Sequence, residues 1–385
     1  MEPFNYYHYS KLAEENRKRI ERAYEFREPE RVPVLIGLGG PYYARTFGRT
    51  FAEYYNDLGV MLDVQVKGIK WRLVWLEDDL YDIMVWLDSG STSEGIVFDC
   101  KVEMPDESNP WRSPWTIPKI RSLEDIDALE VPDPRRHRGI REYYGRLERF
   151  RELVRRNYEG LPIGGMLQIH PPVSAAGSLM GAGRLYSWLY RYPNEMLKLF
   201  DKLEETFKAL QEYYYEVVGA GPGVLSLADD HSGYLNRRMY ERFTMPYNSR
   251  LYELYGAGYR GLHMDSRMDH VTDILVNLYK IQEADVGVEN DIRAIAKAFK
   301  GRVLFNGNAN WRALLTGSLK LVELEVEKCM IHAAPGGGYV FDNGGETYVG
   351  VPPDMLKYEV EYAKRVGRYP IRQENFKHLD ELRGS

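Results

Sequence analysis

Cysteine is nearly absent: Cys100 and Cys329 are the only two in 385 residues. So few, so far apart and with no histidine motif beside them, they exclude a disulfide framework and a thiolate metal cage, and both read as reduced thiols. Long apolar runs are missing too. No stretch reaches membrane-spanning length, and residues 1–31 are charged and helix-forming, with neither an apolar core nor a cleavage site of a secretory leader. A cytoplasmic protein with no membrane partner is the expectation. The net charge is −6 and no block of lysine and arginine interleaves with aromatics, which argues against a nucleic-acid partner and for a small-molecule substrate. No internal repeat or low-complexity tract is present.

What is present is an alternation. Short apolar runs at 163–169, 224–228, 261–264, 283–286, 303–306 and 339–341 are separated by amphipathic segments such as 193–218, 237–255, 291–299 and 319–332. With 32–38 as an earlier strand, the count approaches eight. Continuous apolar strands joined by helices predict a parallel sheet covered on both faces. An open doubly wound sheet and a closed barrel both fit. The polar tails favour the barrel: Gln168 and His170, Asp229 to His231, His263 and Asp265, Asn306 and Asn308, and Asp342 to Glu346 each follow a strand. In a (β/α)8 TIM barrel such ends converge on one mouth. The expectation is therefore a single domain over 1–385, with an N-terminal helical extension and an excursion near residues 76–134. That excursion holds a strand at 96–102, a proline-rich stretch with Trp111 and Trp115, and a helix opened by Ser122 with Asp125 as a capping box.

The segment Gly261-Leu262-His263-Met264-Asp265-Ser266 carries the sharpest signal. Residues two apart on a strand share a face, so His263 and Asp265 present two metal-capable groups together. They read equally as a hydrogen-bonded pair at a strand end. Asp229 and Asp230 suit either site chemistry or capping of the following helix, and Asn306 and Asn308 suit either a ligand or local turn bonds. Trp111 and Trp115 read as anchors of the excursion.

The order of several motifs resembles the uroporphyrinogen decarboxylase superfamily, and within it the corrinoid-dependent methyltransferases (the O-demethylase methyltransferase I branch). These are Arg31-Val32-Pro33-Val34, Ser122-Leu123-Glu124-Asp125 leading to Val131-Pro132-Asp133-Pro134, and Ala228-Asp229-Asp230-His231-Ser232-Gly233. Pro246-Tyr247, the His263 strand, Phe305-Asn306-Gly307-Asn308, Gly336-Gly337-Gly338-Tyr339 and Pro352-Pro353 follow. The resemblance implies a (β/α)8 barrel with its site at the strand C-termini. Decarboxylases of this superfamily hold a polycarboxylate with arginines soon after the first strand. Here that stretch, Gly37 to Arg45, has one arginine and the pair Tyr42-Tyr43. The methyltransferase branch binds zinc through His-x-Cys on one strand and a cysteine near the last; this chain has His263-x-Asp265 and Gly344-Gly345-Glu346.

Both thiols are thus replaced by acids, and the resemblance implies a zinc site of His263, Asp265 and Glu346, three ligands leaving an open position. Glu346 reads alternatively as a solvated loop acid. A harder ligand set suits a more electrophilic zinc and an oxygen-linked methyl donor. The implied function is methyl transfer from a methylated small molecule, best a methoxylated aromatic, to the cob(I)alamin of a separate corrinoid protein. Asp230, His231 and Asp229 are the catalytic candidates, Asn306 and Asn308 the candidates for a polar ring substituent, and Tyr42, Tyr43 and His170 those for an aromatic wall. The alternatives are a metal-free decarboxylase of another substrate and a binding-only barrel. A homodimer is one option for the assembly.

Overall fold

The computed structural model describes residues 4–383. Among the described residues there are nine short strands: β1 (Val85–Trp86), β2 (Val102–Glu103), β3 (Trp115–Thr116), β4 (Ile163–Gly164), β5 (Val224–Ala228), β6 (Tyr259–Met264), β7 (Glu283–Val286), β8 (Leu304–Gly307) and β9 (Tyr339–Val340). β5 to β9 form a parallel sheet in sequential order, and β1 pairs in parallel with β4. β2 and β3 are a separate antiparallel hairpin.

The segment 31–38, expected as a strand, closes the ring by other means. Val34 bridges in parallel to Phe341 just past β9. On its other edge, side chains supplement one backbone bond, from the Asp79 N–H to the Val34 carbonyl at 2.6 Å: the Asp79 carboxylate accepts the Val34 N–H at 2.7 Å and Asp78 accepts the Ile36 N–H at 3.2 Å. Bonding to carboxylates satisfies these buried amides as a strand would. Taking residues 31–38 with β1, β4 and β5 to β9, eight segments surround the lumen in chain order, and the fold is a (β/α)8 barrel.

Its helices follow the sequence closely where amphipathic spacing and caps agree. Pro193–Val218 opens with proline in its first turn and ends at left-handed Gly219; proline needs no amide partner there, and glycine takes the positive φ without strain. Leu123–Ala128 opens with the Ser122/Asp125 capping box. The stretch 237–255 is instead two helices, Arg237–Phe243 and Met245–Tyr255, because Pro246 has no amide to continue the first.

Two expectations about 76–134 fail. Ile96 belongs to the helix Ser93–Val97, not to a strand, and of the expected strand 96–102 only Val102 is in one, paired in β2 with Glu103 beside it. Conversely Val85–Trp86, placed in the excursion, is a barrel strand; two residues are too short to announce themselves by periodicity. The N-terminal extension is Tyr6–Leu12 and Glu14–Tyr24. Ile20 and Ala23 pack on Leu304 and Val340, with Tyr24, Leu35 and Tyr81 beside them.

Candidate active site

Parallel register sets the first layer of the site. His263 on β6 is the Cα partner of Asp285 on β7, which partners Asn306 on β8. Partners in a parallel ladder face the same way, so three polar side chains from three strands line up at one level of the lumen. His263 Nδ1 lies 2.7 Å from Asp285 Oδ2. That contact directs the other ring nitrogen, Nε2, toward Asp265 Oδ1 at 3.7 Å.

Asp230, His263 and Asp265 form a cluster whose ligand-capable atoms all lie within 4.8 Å of one another. Asp230 Oδ1 also accepts the Asp265 amide N–H at 2.7 Å, which ties the turn after β5 to the end of β6. Gly287 makes room for the neighbouring loop, since a Cβ there would stand 1.7 Å from the Asp265 carbonyl oxygen. Asp265 Oδ1 is buried without a hydrogen-bond partner. A buried carboxylate oxygen left unpaired costs free energy unless something occupies its lone pairs. One imidazole nitrogen braced from behind by a carboxylate, and two further carboxylates of which one carries the orphaned oxygen, make a donor set that fits a divalent metal.

The charges are mutually supporting. Burial pushes the His263 imidazole down, but the Asp285 hydrogen bond and the negative charges of Asp265, Asp285 and Asp230 carry it up to about 9. Burial raises the Asp265 carboxyl to about 6 against the pull of His263. Asp342, after β9, is raised to about 7 by burial, although it accepts the Gly37 and Asn343 amides.

Two cavities flank this cluster. The first, about 430 Å³, occupies the lumen; His263, Asp285, Asn306, Asp342 and Glu346 line it together with Arg72 and apolar Leu35, Leu304 and Val340. Arg72 is committed to Asp78, which both its Nε and Nη2 contact, and to the Ile36 carbonyl at 2.8 Å. The second cavity, about 290 Å³, is lined by Asp230, His231, His170, Ser174 and Trp115 among others.

The sequence candidates divide accordingly. His263, Asp265 and Asp230 meet. Glu346 lines the lumen beside His263 but is not one of the three clustered donors, Asp230 standing there instead. Burial, with Asp88 and Asp265 next, raises its carboxyl, and Gly39 leaves it space, a Cβ there falling 1.9 Å from Glu346 Oε1. Asn306 lines the lumen and donates to Asp342 at 3.3 Å.

His231 and His170 face the second cavity. Tyr186 holds His231 Nδ1 at 2.9 Å, and the buried Glu94 holds His170 Nδ1 at 2.7 Å. Trp115, expected to be only an anchor, is 54% exposed and lines that cavity. Trp111 packs edge-on against Phe51 at 5.6 Å, as an anchor should.

Four assignments are corrected. Asp229 is fully buried, accepting the Ser174 hydroxyl at 2.6 Å and the Asn248 amide at 2.8 Å; it is a structural hub with both oxygens used and no access to substrate. Neither Asp229 nor Asp230 caps the following turn by its side chain. Asn308 is buried and donates to the Gly287 and Asn290 carbonyls, so it holds a loop. Tyr42 and Tyr43 lie on the helix Gly40–Thr46 and are buried, Tyr42 bonding the Val351 carbonyl and Tyr43 lying over Gly68; they form no substrate wall.

Asp285 and Glu94 were missed as site residues, and Asp342, expected at the barrel mouth, was given no role. Asp285 stood in plain view two residues into an apolar strand, and an acid at such a position was the available signal.

Known proteins agree with this architecture. The family model described as Uroporphyrinogen decarboxylase (URO-D) matches residues 15–366. The uroporphyrinogen decarboxylase of Syntrophotalea carbinolica is 25% identical over 261 residues, covering 66% of this chain and 73% of that protein. That of Anaeromyxobacter dehalogenans is 26% identical over 255 residues, covering 64% and 70%. Among solved structures, a methyltransferase from Methanosarcina mazei superposes with a TM-score of 0.65 at 17% identity, covering 90% of this chain and 98% of the other. At that identity the likeness speaks for the fold.

Proposed function

The chain belongs to the uroporphyrinogen decarboxylase family, and from that premise we propose that it is a methyltransferase, not a porphyrinogen decarboxylase. The reaction is transfer of a methyl group from a methylated small molecule, a methoxylated aromatic, to the cob(I)alamin of a separate corrinoid protein. The methyl carbon–oxygen bond breaks with its electron pair left on oxygen, and the cobalt–carbon bond forms with the pair of Co(I). The observation that carries this reading is the Asp230, His263 and Asp265 cluster with its orphaned Asp265 oxygen.

These three residues would hold zinc, with Glu346 the nearby acid available beside them. Zinc there would supply Lewis acidity that offsets the negative charge developing on the departing oxygen. The chain's own groups do the rest. Asp285 fixes the ring orientation of His263 through Nδ1. Asn306 and Asp342 present a donor and a carboxyl on the lumen wall, and Asp342, raised to about 7, is poised to give a proton to the released oxygen near neutral pH. Apolar Leu35, Leu304 and Val340 keep water from the ring.

The curated relatives are named as decarboxylases, which makes a metal-free decarboxylase the second reading. The acids of the lumen weigh against a substrate with many carboxylates, because such a ligand needs unspent cations and Arg72 is spent on Asp78. The test is direct. Purified protein is expected to bind about one zinc, lost in His263→Ala, and to convert cob(I)alamin on a corrinoid protein to methylcobalamin, read by its absorption change, with at least one donor from a methoxyaromatic panel. Protein that takes up no stoichiometric zinc and methylates no corrinoid sends the assignment to the decarboxylase reading.

A further inference from the structure

The loop after β9, which brings Asp342 and Glu346 to the lumen, is anchored from behind by a group the proposed chemistry leaves out. Asp342 Oδ1 accepts the backbone N–H of Asn343 at 2.7 Å and that of Gly37 at 2.8 Å. The Asn343 side chain is buried, and its Nδ2 donates to Thr347 Oγ1 at 3.1 Å. Its carbonyl oxygen then faces Glu359 on the helix Pro353–Val366, with both carboxyl oxygens 3.0 Å away. Oxygen facing oxygen at that distance needs a proton between them. Two arrangements supply one. Either Glu359 is protonated and donates to Asn343 Oδ1, or the amide turns over and its NH2 group faces an ionised Glu359.

Burial decides between them. Asn343, Thr347 and Glu359 are all at most 1% exposed. The charged groups facing Glu359 are both acids, Asp342 from the loop and Glu325 from the helix Leu319–His332, and Glu325 keeps Lys328 to itself at 2.5 Å. No cation among the described residues bonds Glu359. A carboxylate there would have one amide in place of its hydration shell and two acids beside it, so the neutral form wins. Burial and then Asp342 hold the carboxyl protonated up to about pH 8.

We infer that Glu359 is a positioning residue that works as a neutral hydrogen-bond donor: it fixes the Asn343 amide, and through the Asn343 backbone N–H it holds Asp342 and sets where that acid ionises. The inference adds a residue behind Asp342 to the proposed function. It rests on that reading only for the proton that Asp342 gives to the released oxygen.

Substitutions separate the possibilities. Glu359→Gln keeps an N–H donor for Asn343 Oδ1 and removes no charge, so Asp342 titrates as in the parent. Glu359→Leu removes the donor. Asn343 is then free to turn, its N–H bond to Asp342 weakens, and the Asp342 midpoint rises by about one pH unit, the worth of one hydrogen bond to a carboxylate. Were Glu359 ionised instead, Glu359→Gln would delete a negative charge beside Asp342 and lower that midpoint by about one unit or more. A role confined to stability moves neither midpoint in the folded protein.

The test is carbon NMR of the full chain, labelled at the aspartate and glutamate side-chain carboxyls and titrated from pH 4 to 9.5, with parent and variants prepared alike. The Glu359 resonance is identified by its loss in Glu359→Gln, and the Asp342 resonance by its loss in Asp342→Asn. Expected are a Glu359 carboxyl that titrates near pH 8, an Asp342 midpoint unchanged in Glu359→Gln, and one about a unit higher in Glu359→Leu. Asn343→Ala cuts the same link from the loop side; it is expected to give the same rise and replaces Glu359→Leu if that variant does not fold. A Glu359 resonance that titrates near pH 4.5 overturns the inference with no comparison needed, and so does an Asp342 midpoint that falls by a unit in Glu359→Gln. An unmoved Asp342 midpoint in whichever linkage variant folds overturns the positioning role. Methyl transfer enters none of these readings, so its absence leaves the Glu359 assignment intact, and failure of the assignment leaves the proposed function standing.

Discussion

Zinc uptake should depend steeply on pH, and the breakpoints follow from the cluster itself. A metal needs His263 neutral and Asp265 ionised, whereas the free protein holds His263 protonated up to about pH 9 and Asp265 protonated up to about pH 6. The sign follows: protons compete for both ligands, so affinity rises with pH. Between pH 6 and 9 one proton is displaced and the apparent association constant should grow about tenfold per unit. Below pH 6 two are displaced and the slope approaches about 100-fold per unit; above pH 9 it levels. At pH 7 proton competition costs at most about 100-fold, and because the His263 side chain is 36% exposed, solvent screening trims this toward about tenfold. Asp285→Asn removes the charge behind the ring, so His263 falls toward its ordinary value and the curve should flatten well below pH 9. The plateau itself should drop about 10- to 100-fold, the usual cost of losing a carboxylate behind a metal-binding histidine. Titration against a chromophoric zinc chelator from pH 5.5 to 9.5 reads both effects. Affinity that is flat from pH 7 to 9, or an Asp285→Asn curve parallel to the parent, would refute the reasoning.

Adjacent aspartates should behave as opposites. Asp229→Ala strands the buried Ser174 hydroxyl and Asn248 amide and should cost about 2–4 kcal/mol of stability, read in chemical denaturation, while Asp230→Ala, which loses only its bond to the Asp265 amide, should cost about 1 kcal/mol and remove zinc. Glu359, wholly buried, has its carboxyl raised to about 8 by burial and then by Asp342. Its folded form therefore holds a proton that the unfolded chain releases near pH 4.5, and the protein loses stability as pH rises from about 4.5 to 8. Glu359→Gln should stabilise by about 3 kcal/mol at pH 7 and by little at pH 4.5; equal effects at both would contradict a protonated Glu359. Tyr42→Phe removes one buried hydrogen bond to Val351 and should cost about 1 kcal/mol with no change in KM for the methyl donor; a KM increase of tenfold would return Tyr42 to the substrate site.

Local chemistry made much of this molecule legible in advance. The helix Pro193–Val218 and strand Val224–Ala228 fall where periodicity and glycine punctuation place them, because proline, glycine and apolar spacing act within a few residues. His263 and Asp265 were readable for the same reason: a period of two puts them on one face without reference to the rest of the chain. Tertiary structure decided what local rules leave degenerate. Asp229 and Asp230 are equivalent in sequence, yet one is buried against Ser174 and Asn248 while the other joins the cluster, since successive side chains diverge and only the packed neighbours define what each meets. Tyr42 and Tyr43 follow a segment that reads as a barrel strand, but the helix they sit on docks them inward. Barrel closure brought Asp285 behind His263 and Asn306 beside Asp342, contacts between residues 22 and 36 apart in the chain, which are set by parallel register and not by any spacing along the sequence.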